Sequence, residues 1–346
     1  MPITRRRTLS LSCTLPLAAT ATMPMLLSAC AQTAPVPRQS QSQSQSQSQS
    51  PAPSPSPSPS PSPSPSPALP AVRFGRLERL PTIASRHVDP RPVDVWLPPG
   101  YDGRRPHAVL YMHDGQMLFD PATTWNKQAW EMDRMAAPLL ADGRLRDLIV
   151  VAPWNNGRLR FAEYFPQAWI AHLDATWRQA LAERALSGPP RSDAYLRFLV
   201  EELKPAIDAR YATRPGRAHC FLAGSSMGGL ISLYGLCEYP QVFGGAGCLS
   251  THWIGGFERN TVVPAAALRY LRDKLPPPDS VRLWLDRGDQ ELDALYDQAQ
   301  AQVDALMAEK GFRPPRFHSQ VFAGTGHNER AWRDRLPQVL QFLLQA

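Results

Sequence analysis

Phe221-Leu222-Ala223-Gly224-Ser225-Ser226-Met227-Gly228-Gly229 decides how this chain is read. The stretch holds G-x-S-x-G between a short apolar run and an apolar helical pattern, so strand, sharp turn and helix follow one another directly. A serine hydroxyl is a poor nucleophile unless it is held exposed beside a base, and a strained strand-to-helix turn does the holding. Glycines flank the serine because such a turn brings backbone too close for a Cβ. Ser226 is therefore the candidate nucleophile. The plainer alternative is a glycine-rich turn after a strand.

Outward from that stretch, apolar runs of strand length recur at 93–97, 108–112, 148–152, 220–223, 245–249, 281–285 and 317–322. Several are uninterrupted rather than alternating, as expected of strands buried on both faces. Helical patterns lie between them: 194–210, with Leu196, Leu199, Val200, Leu203 and Ile207 on one face, then 227–238, 290–310 and 329–345. Strands alternating with helices predict an α/β domain, a doubly wound and mostly parallel sheet with helices on both faces. Reacting groups in such sheets sit at the carboxyl ends of the strands. Ser226 follows the fourth run, Asp286 to Glu291 the sixth and His327 the seventh.

Nucleophile, acid, then histidine is the chain order of an α/β-hydrolase. His327, in Gly324-Thr325-Gly326-His327-Asn328-Glu329, is the candidate base, which would take the Ser226 proton and return it to the leaving group. His252 comes too early, before any acid. The acid is expected on the loop after 281–285, where Asp286, Asp289 and Glu291 compete; those not used are solvated or cap a helix starting near Gln290. The oxyanion hole needs the backbone N–H of Met227 and a second amide from His113-Asp114-Gly115-Gln116, where Gly115 would let the backbone approach the substrate. For Asp114 and Gln116 the alternative is ordinary turn chemistry.

Several motifs together resemble one family. They are 111–120, Tyr-Met-His-Asp-Gly-Gln-Met-Leu-Phe-Asp; Asn155-Asn156-Gly157 with Arg160 and Glu163-Tyr164-Phe165-Pro166; 198–205, Phe-Leu-Val-Glu-Glu-Leu-Lys-Pro; the Ser226 turn; and His327-Asn328-Glu329 with Trp332. From about Val93 to Leu344 the chain is similar to the esterase family of α/β-hydrolases that includes enterochelin-esterase-like proteins, feruloyl and acetyl-xylan esterases and the mycolyltransferase antigen proteins. The resemblance implies an α/β-hydrolase fold and a Ser-His-acid triad. In the family the acid tends to lie three residues past a strand-end glycine, which selects Glu291 after Gly288 and leaves Asp289 as rival, then Asp286. Asp114, Asn156, Arg160, Tyr164 and Trp253 are the candidate substrate-binding residues. A departure from the pattern is extra helical sequence at 166–192. There Trp169, Leu173, Trp177 and Leu181 recur every four residues, as a helix packed on the domain or as a cap whose aromatic face bounds the substrate pocket.

The chain does not begin with this domain. Thr4-Arg5-Arg6-Arg7 opens an apolar stretch that ends in Leu27-Ser28-Ala29-Cys30, the layout of an export signal with a lipobox-like end, and Arg5-Arg6 suggests a twin-arginine signal. Pro16 and Pro24 interrupt the stretch, and its apolar run is too short for a bilayer span. Residues 31–70 follow as Gln-Ser and then Pro-Ser repeats, which bury no apolar face and favour an extended spacer. The expectation is an exported protein, lipid-anchored at Cys30 to the bacterial envelope, with its domain at 71–346 held off the membrane or on a wall-spanning stalk.

Three functions are open to such a domain: a serine carboxylic-ester hydrolase, an acyltransferase on the same machinery, or a non-catalytic anchored binding domain, since a fold alone does not establish activity. The net charge of +7 includes Arg5, Arg6 and Arg7 of the leader. No basic run interleaves with aromatics, which argues against nucleic-acid binding. Cys220, Cys237 and Cys248 sit in apolar patterns with no metal-ligand spacing, so neither a metal nor another cofactor is expected. An oxidising compartment would permit one disulfide, though separate strands and a helix make the geometry poor. The partner expected is a small or glycan-linked ester, and the chain is expected to be a monomer.

Overall fold

A computed structural model describes residues 67–345. The export segment, Cys30 and the spacer up to residue 66 lie outside the described residues. Eight strands form one sheet: β1 (Arg76–Arg79), β2 (Val93–Leu97), β3 (Ala108–Met112), β4 (Leu148–Pro153), β5 (Cys220–Ser225), β6 (Gly245–Leu249), β7 (Arg282–Gly288) and β8 (Phe317–Phe322). Their order is β1-β2-β4-β3-β5-β6-β7-β8. β2 pairs antiparallel with β1 and β4, and every other pairing is parallel. β1 is the strand that the apolar pattern does not mark. Its segment Arg-Leu-Glu-Arg buries only Leu77, so its strand character comes from the partner β2 rather than from its own pattern.

The uninterrupted apolar runs do what their composition demands. β2 to β6 are buried at every position, and successive side chains enter two different cores. Val109, Tyr111, Ile149, Val151, Leu222 and Leu283 face one layer, with helices Met227–Glu238, Val262–Lys274 and Asp297–Glu309. Leu110, Met112, Val150, Phe221, Ala223 and Trp284 face the other, with helices Met132–Ala141 and Glu329–Leu344. Each fully buried Leu or Phe contributes about 1.5–3 kcal/mol, so a few such residues outweigh a strained turn at the end of their strand.

Three boundaries differ from the pattern and bear on the site. β5 continues through Ser225, so the turn begins at Ser226 itself. β7 runs to Gly288, which places Asp286 inside the strand rather than on a loop. The helix expected at 290–310 is two elements, a 3₁₀ turn Glu291–Leu295 and a helix Asp297–Glu309.

The extra sequence at 166–192 forms a 3₁₀ segment Gln167–His172 and a helix Ala175–Arg184 that starts with Asp174 accepting a bond from the Trp177 N–H. Extended backbone at Leu173 breaks the single four-residue stripe. Trp169 stacks on Trp253, and Leu173, Leu181 and Leu186 are buried in the first core. None of these side chains lines the cleft described below, so the segment packs on the domain and forms no wall of that cleft. The three cysteines are buried free thiols, and burial pushes each of them up. Among the described residues no helix is long and apolar enough to cross a membrane.

Candidate active site

The strand ends carry the strain. Non-glycine residues with left-handed φ stand after four strands at the carboxyl edge of the sheet: Asp114 after β3, Ser226 after β5, Ser250 after β6 and Glu291 after β7. Each such residue costs about 1–3 kcal/mol and persists only where its surroundings over-determine it, as at active sites. At Ser226 the backbone has φ 57° and ψ −122°, and its N–H is tied to the Leu249 carbonyl at 2.9 Å. A Cβ on Gly224 would stand 2.8 Å from the Gly228 backbone. Glycine there lets strand and helix meet behind the serine. The result is a serine held at a sharp corner where helix Met227–Glu238 begins.

His327 follows β8 and lines the same cleft as Ser226. Its Nδ1 lies 2.6 Å from Asp293 Oδ1. Asp293 is fully buried, and its other oxygen accepts from the Ser250 hydroxyl at 2.6 Å and the Gly288 N–H at 2.5 Å. Burial opposes the charged form of Asp293, but these bonds and the neighbouring His327 hold its carboxyl below the ordinary carboxylate range.

The carboxylate that meets the ring is therefore not one of the three expected from sequence. Glu291 does not reach the ring; its Oε2 accepts the His327 backbone N–H at 2.8 Å. The same carboxylate lies against Gly326, where a Cβ would collide with it, so that glycine serves this packing. Asp289 is half-buried, and its Oδ1 takes the Gly324 N–H at 2.7 Å. Asp286 is buried and paired with Arg335 at 2.8 Å. Asp289 and Glu291 fasten the histidine loop, while Asp286 holds the last helix. Asp293 was missed because it sits where the pattern read as helix interior. The 3₁₀ turn instead rotates it toward His327.

A second histidine lines the cleft. His252 is buried, its Nδ1 2.6 Å from the Tyr296 hydroxyl, and its Nε2 has no partner. Burial chiefly, with His327 and Arg160 adding like charge, pushes it down to about 3, so it stays neutral. Tyr296 lies edge-on to the His327 ring.

The cleft has a volume of about 670 Å³. Its walls include Trp125, Trp130, Phe161, Phe257 and Trp332, of which Trp125 and Phe257 are 84% and 71% exposed at the rim. Of the residues expected to bind substrate, Asp114 and Arg160 line it. Arg160 presents Nε and Nη2 to the two Asp114 oxygens at 2.7 Å each, and Asn155 adds a 2.7 Å bond to Asp114. Burial would raise the Asp114 carboxyl, but Arg160 outweighs it and the net direction is down. Asp114 thus orients Arg160, whose Nη1 has no hydrogen bond to the other described residues.

The other three are elsewhere. Asn156 bonds Asp89 at 3.2 Å outside the cleft. Tyr164 is fully buried beneath Asp114, whose N–H meets its hydroxyl at 3.4 Å. Trp253 is buried with its indole N–H on Gln300 at 2.9 Å. At Gly115 a Cβ would collide with the Ala152 carbonyl of β4, so packing requires glycine there. Gln116 lines the cleft, and Met227 is the first residue of its helix, where backbone N–H groups lack intrahelical partners. Among the described residues no three His, Cys, Asp or Glu side chains are grouped to hold a metal ion.

Residues 85–343 match the family described as "Putative esterase". The chain belongs to that family. It is thereby a carboxylic ester hydrolase. Over 259 residues it is 25% identical to an endo-1,4-beta-xylanase/feruloyl esterase of Xylanibacter ruminicola, covering 73% of this chain but 29% of that protein. Over 141 residues it is 31% identical to a siderophore triacetylfusarinine C esterase of Aspergillus fumigatus, covering 41% of this chain and 42% of the relative. Among solved structures a ferulic acid esterase superposes with a TM-score of 0.57 at 20% identity, over 79% of this chain and 99% of the other. That likeness shows the α/β-hydrolase fold.

Proposed function

We propose that this esterase works through an acyl-enzyme on Ser226, with His327 as base and Asp293 as the acid that orients it. The observation that carries the reading is the pairing of His327 with the buried Asp293 beside a serine held at a strained strand-to-helix corner. Ser226 Oγ attacks the ester carbonyl while His327 Nε2 takes its proton, and the same nitrogen protonates the departing alkoxide. Water then repeats the sequence on the acyl-enzyme. Asp293 keeps the Nδ1–H tautomer and favours the imidazolium that forms. The N–H groups of Met227 and of Gly115 or Gln116 serve the developing oxyanion.

The substrate we propose is an ester with a planar aromatic group. Indole and phenyl walls offer stacking faces, worth about 0.5–1.5 kcal/mol per pair beyond burial. The free edge of Arg160 offers a donor to a polar ring substituent. The names of the Xylanibacter and Aspergillus relatives, a feruloyl esterase and a siderophore esterase, are in keeping with a bulky acyl or alcohol group.

A fluorophosphonate probe on the folded chain tests the nucleophile, with labelling expected at Ser226; an unlabelled, folded protein would count against it. A panel of p-nitrophenyl, feruloyl, acetyl-sugar and siderophore esters tests the substrate, and preference for acetyl-sugars would overturn the aromatic assignment. We further propose export and lipid anchoring at Cys30, supported by Leu27-Ser28-Ala29-Cys30 and the spacer behind it. Cys30→Ser should move the protein from the membrane to the soluble fraction. A variant processed normally yet still membrane-bound would contradict the anchor.

A further inference from the structure

Ser250 is the first residue past β6, buried and left-handed with φ 45°. Its hydroxyl touches three groups: Trp332 Nε1 at 2.9 Å, Arg335 Nη2 at 3.2 Å and Asp293 Oδ2 at 2.6 Å. A hydroxyl has one proton and two lone pairs, while indole and guanidinium nitrogens only donate. Both lone pairs are therefore taken, and the proton has one acceptor, Asp293. The direction of this bond is forced, since any other would leave buried groups unpaired at the full desolvation cost.

Behind Ser250, Arg335 Nη1 bonds Asp286 Oδ1 at 2.8 Å, which also takes the Ser250 N–H at 3.1 Å. Asp286 Oδ2 takes the Trp284 indole at 2.8 Å. Arg335 thus stands between two carboxylates, touching Asp286 directly and Asp293 through the serine hydroxyl. Burial pushes the Asp286 carboxyl up to about 6, with Arg335 opposing and Asp293 adding to the push.

We propose that Ser250, backed by Trp332 and Arg335, is a positioning residue that latches Asp293 and weakens its hold on a protonated His327. This rests on Ser226, His327 and Asp293 being the reacting unit. A carboxylate that accepts a short bond on Oδ2 has less charge left on Oδ1. The His327 ring then returns more readily to the neutral form that acts as base. The other groups facing Asp293 and His327 are Asp286 from β7 and Glu329 from the last helix. Glu291 and Tyr296 face them from the turn after β7, His252 from the loop after β6, and Arg160 from across the cleft.

The test compares kcat/KM against pH for the full chain, Ser250→Ala and Asp286→Asn. Removing the Ser250 hydroxyl leaves Gly288 N–H on Asp293, so the carboxylate stays but is less latched. The acid limb should move to higher pH by about 0.5–1 unit, with kcat down about 10–100-fold. KM should stay within about twofold because Ser250 does not line the cleft. Asp286→Asn removes the negative charge opposing Arg335, so its limb should move the other way. An acid limb in Ser250→Ala that coincides with wild type overturns the proposal, whatever happens to kcat or Tm. If Ser250→Ala does not fold, Asp286→Asn decides alone: a downward move supports the relay, and an unmoved or upward limb ends it. NMR titration of the His327 ring in the same proteins reads the displacement without turnover. Absence of esterase activity and Ser226 labelling in wild type would fail the proposed function, while the ring titration would still decide the relay.

Discussion

The turn after β5 and the turn after β7 lie at the same edge of the sheet and serve the same cleft, yet they are built on opposite terms. The first is local. Gly224, Ser226 and Gly228 meet within one corner, and the Ser226 backbone cannot take its conformation without them. The second is assembled from afar. Asp289, Glu291 and Asp293 are spaced two apart, and each has a partner brought by another strand or loop: Gly324, the His327 backbone, and the His327 ring. Three carboxylates of one turn therefore have three different tasks, and the spacing between them does not say which task belongs to which.

The comparison breaks most visibly at Ser226 and Asp293. Ser226→Ala should lower ester turnover by several orders of magnitude with Tm little changed, because only one oxygen leaves the floor of the cleft and the reacting unit acts as a whole. Residual activity within about tenfold of wild type, roughly 1.4 kcal/mol of barrier, would remove Ser226 from the mechanism. Asp293→Asn should cost a factor of about 10⁴ in kcat through the wrong histidine tautomer. It should also change the acid branch of stability. Wild-type Asp293 is held below the ordinary carboxylate range, so its contribution is complete above the unfolded value of about 3.9. That contribution is lost as pH falls through the lower folded value, and a urea-unfolding series between pH 2 and 5 should show the loss in wild type but not in the variant.

Glu291→Gln sharpens the same contrast from the neighbouring position. It keeps an acceptor for the His327 N–H, so turnover should fall by less than about tenfold and stability by about 0.5–1 kcal/mol, as for an exposed charged contact. If Glu291→Gln matched the loss of Asp293→Asn, the ring contact would not distinguish the acid. The smallest effect belongs to Asp289→Asn, with the Tm close to wild type by thermal melting and turnover unchanged.

The second histidine extends this lesson. His327 and His252 both face the cleft, but one has a carboxylate on Nδ1 and the other a phenol. Only the first arrangement favours a ring that gains a proton during turnover. Chain order makes the same choice, since His252 precedes every candidate acid.

Much of the fold is legible in the amino-acid sequence because it is written in short-range chemistry. Apolar runs of strand length mark the strands, the uninterrupted ones covered on both faces, and β2, β3, β6 and β8 begin and end where the runs do. The G-x-S-x-G corner marks its own strain. What the sequence by itself determined is thus the class of fold and the two positions, Ser226 and His327, that the fold brings to one cleft, each marked by neighbours within a few residues. Only the tertiary structure decided which carboxylate meets the His327 ring, the removal of Asn156, Tyr164 and Trp253 from the cleft, and the packing of the 166–192 segment away from it. The physical reason is direction. A charged or aromatic residue type states what a side chain can do, but which partner it meets depends on the rotation of its turn and on what the next strand or loop carries past it. At residues 291–295 a single 3₁₀ turn in place of the expected helix sent Glu291 to a backbone amide and Asp293 to the ring.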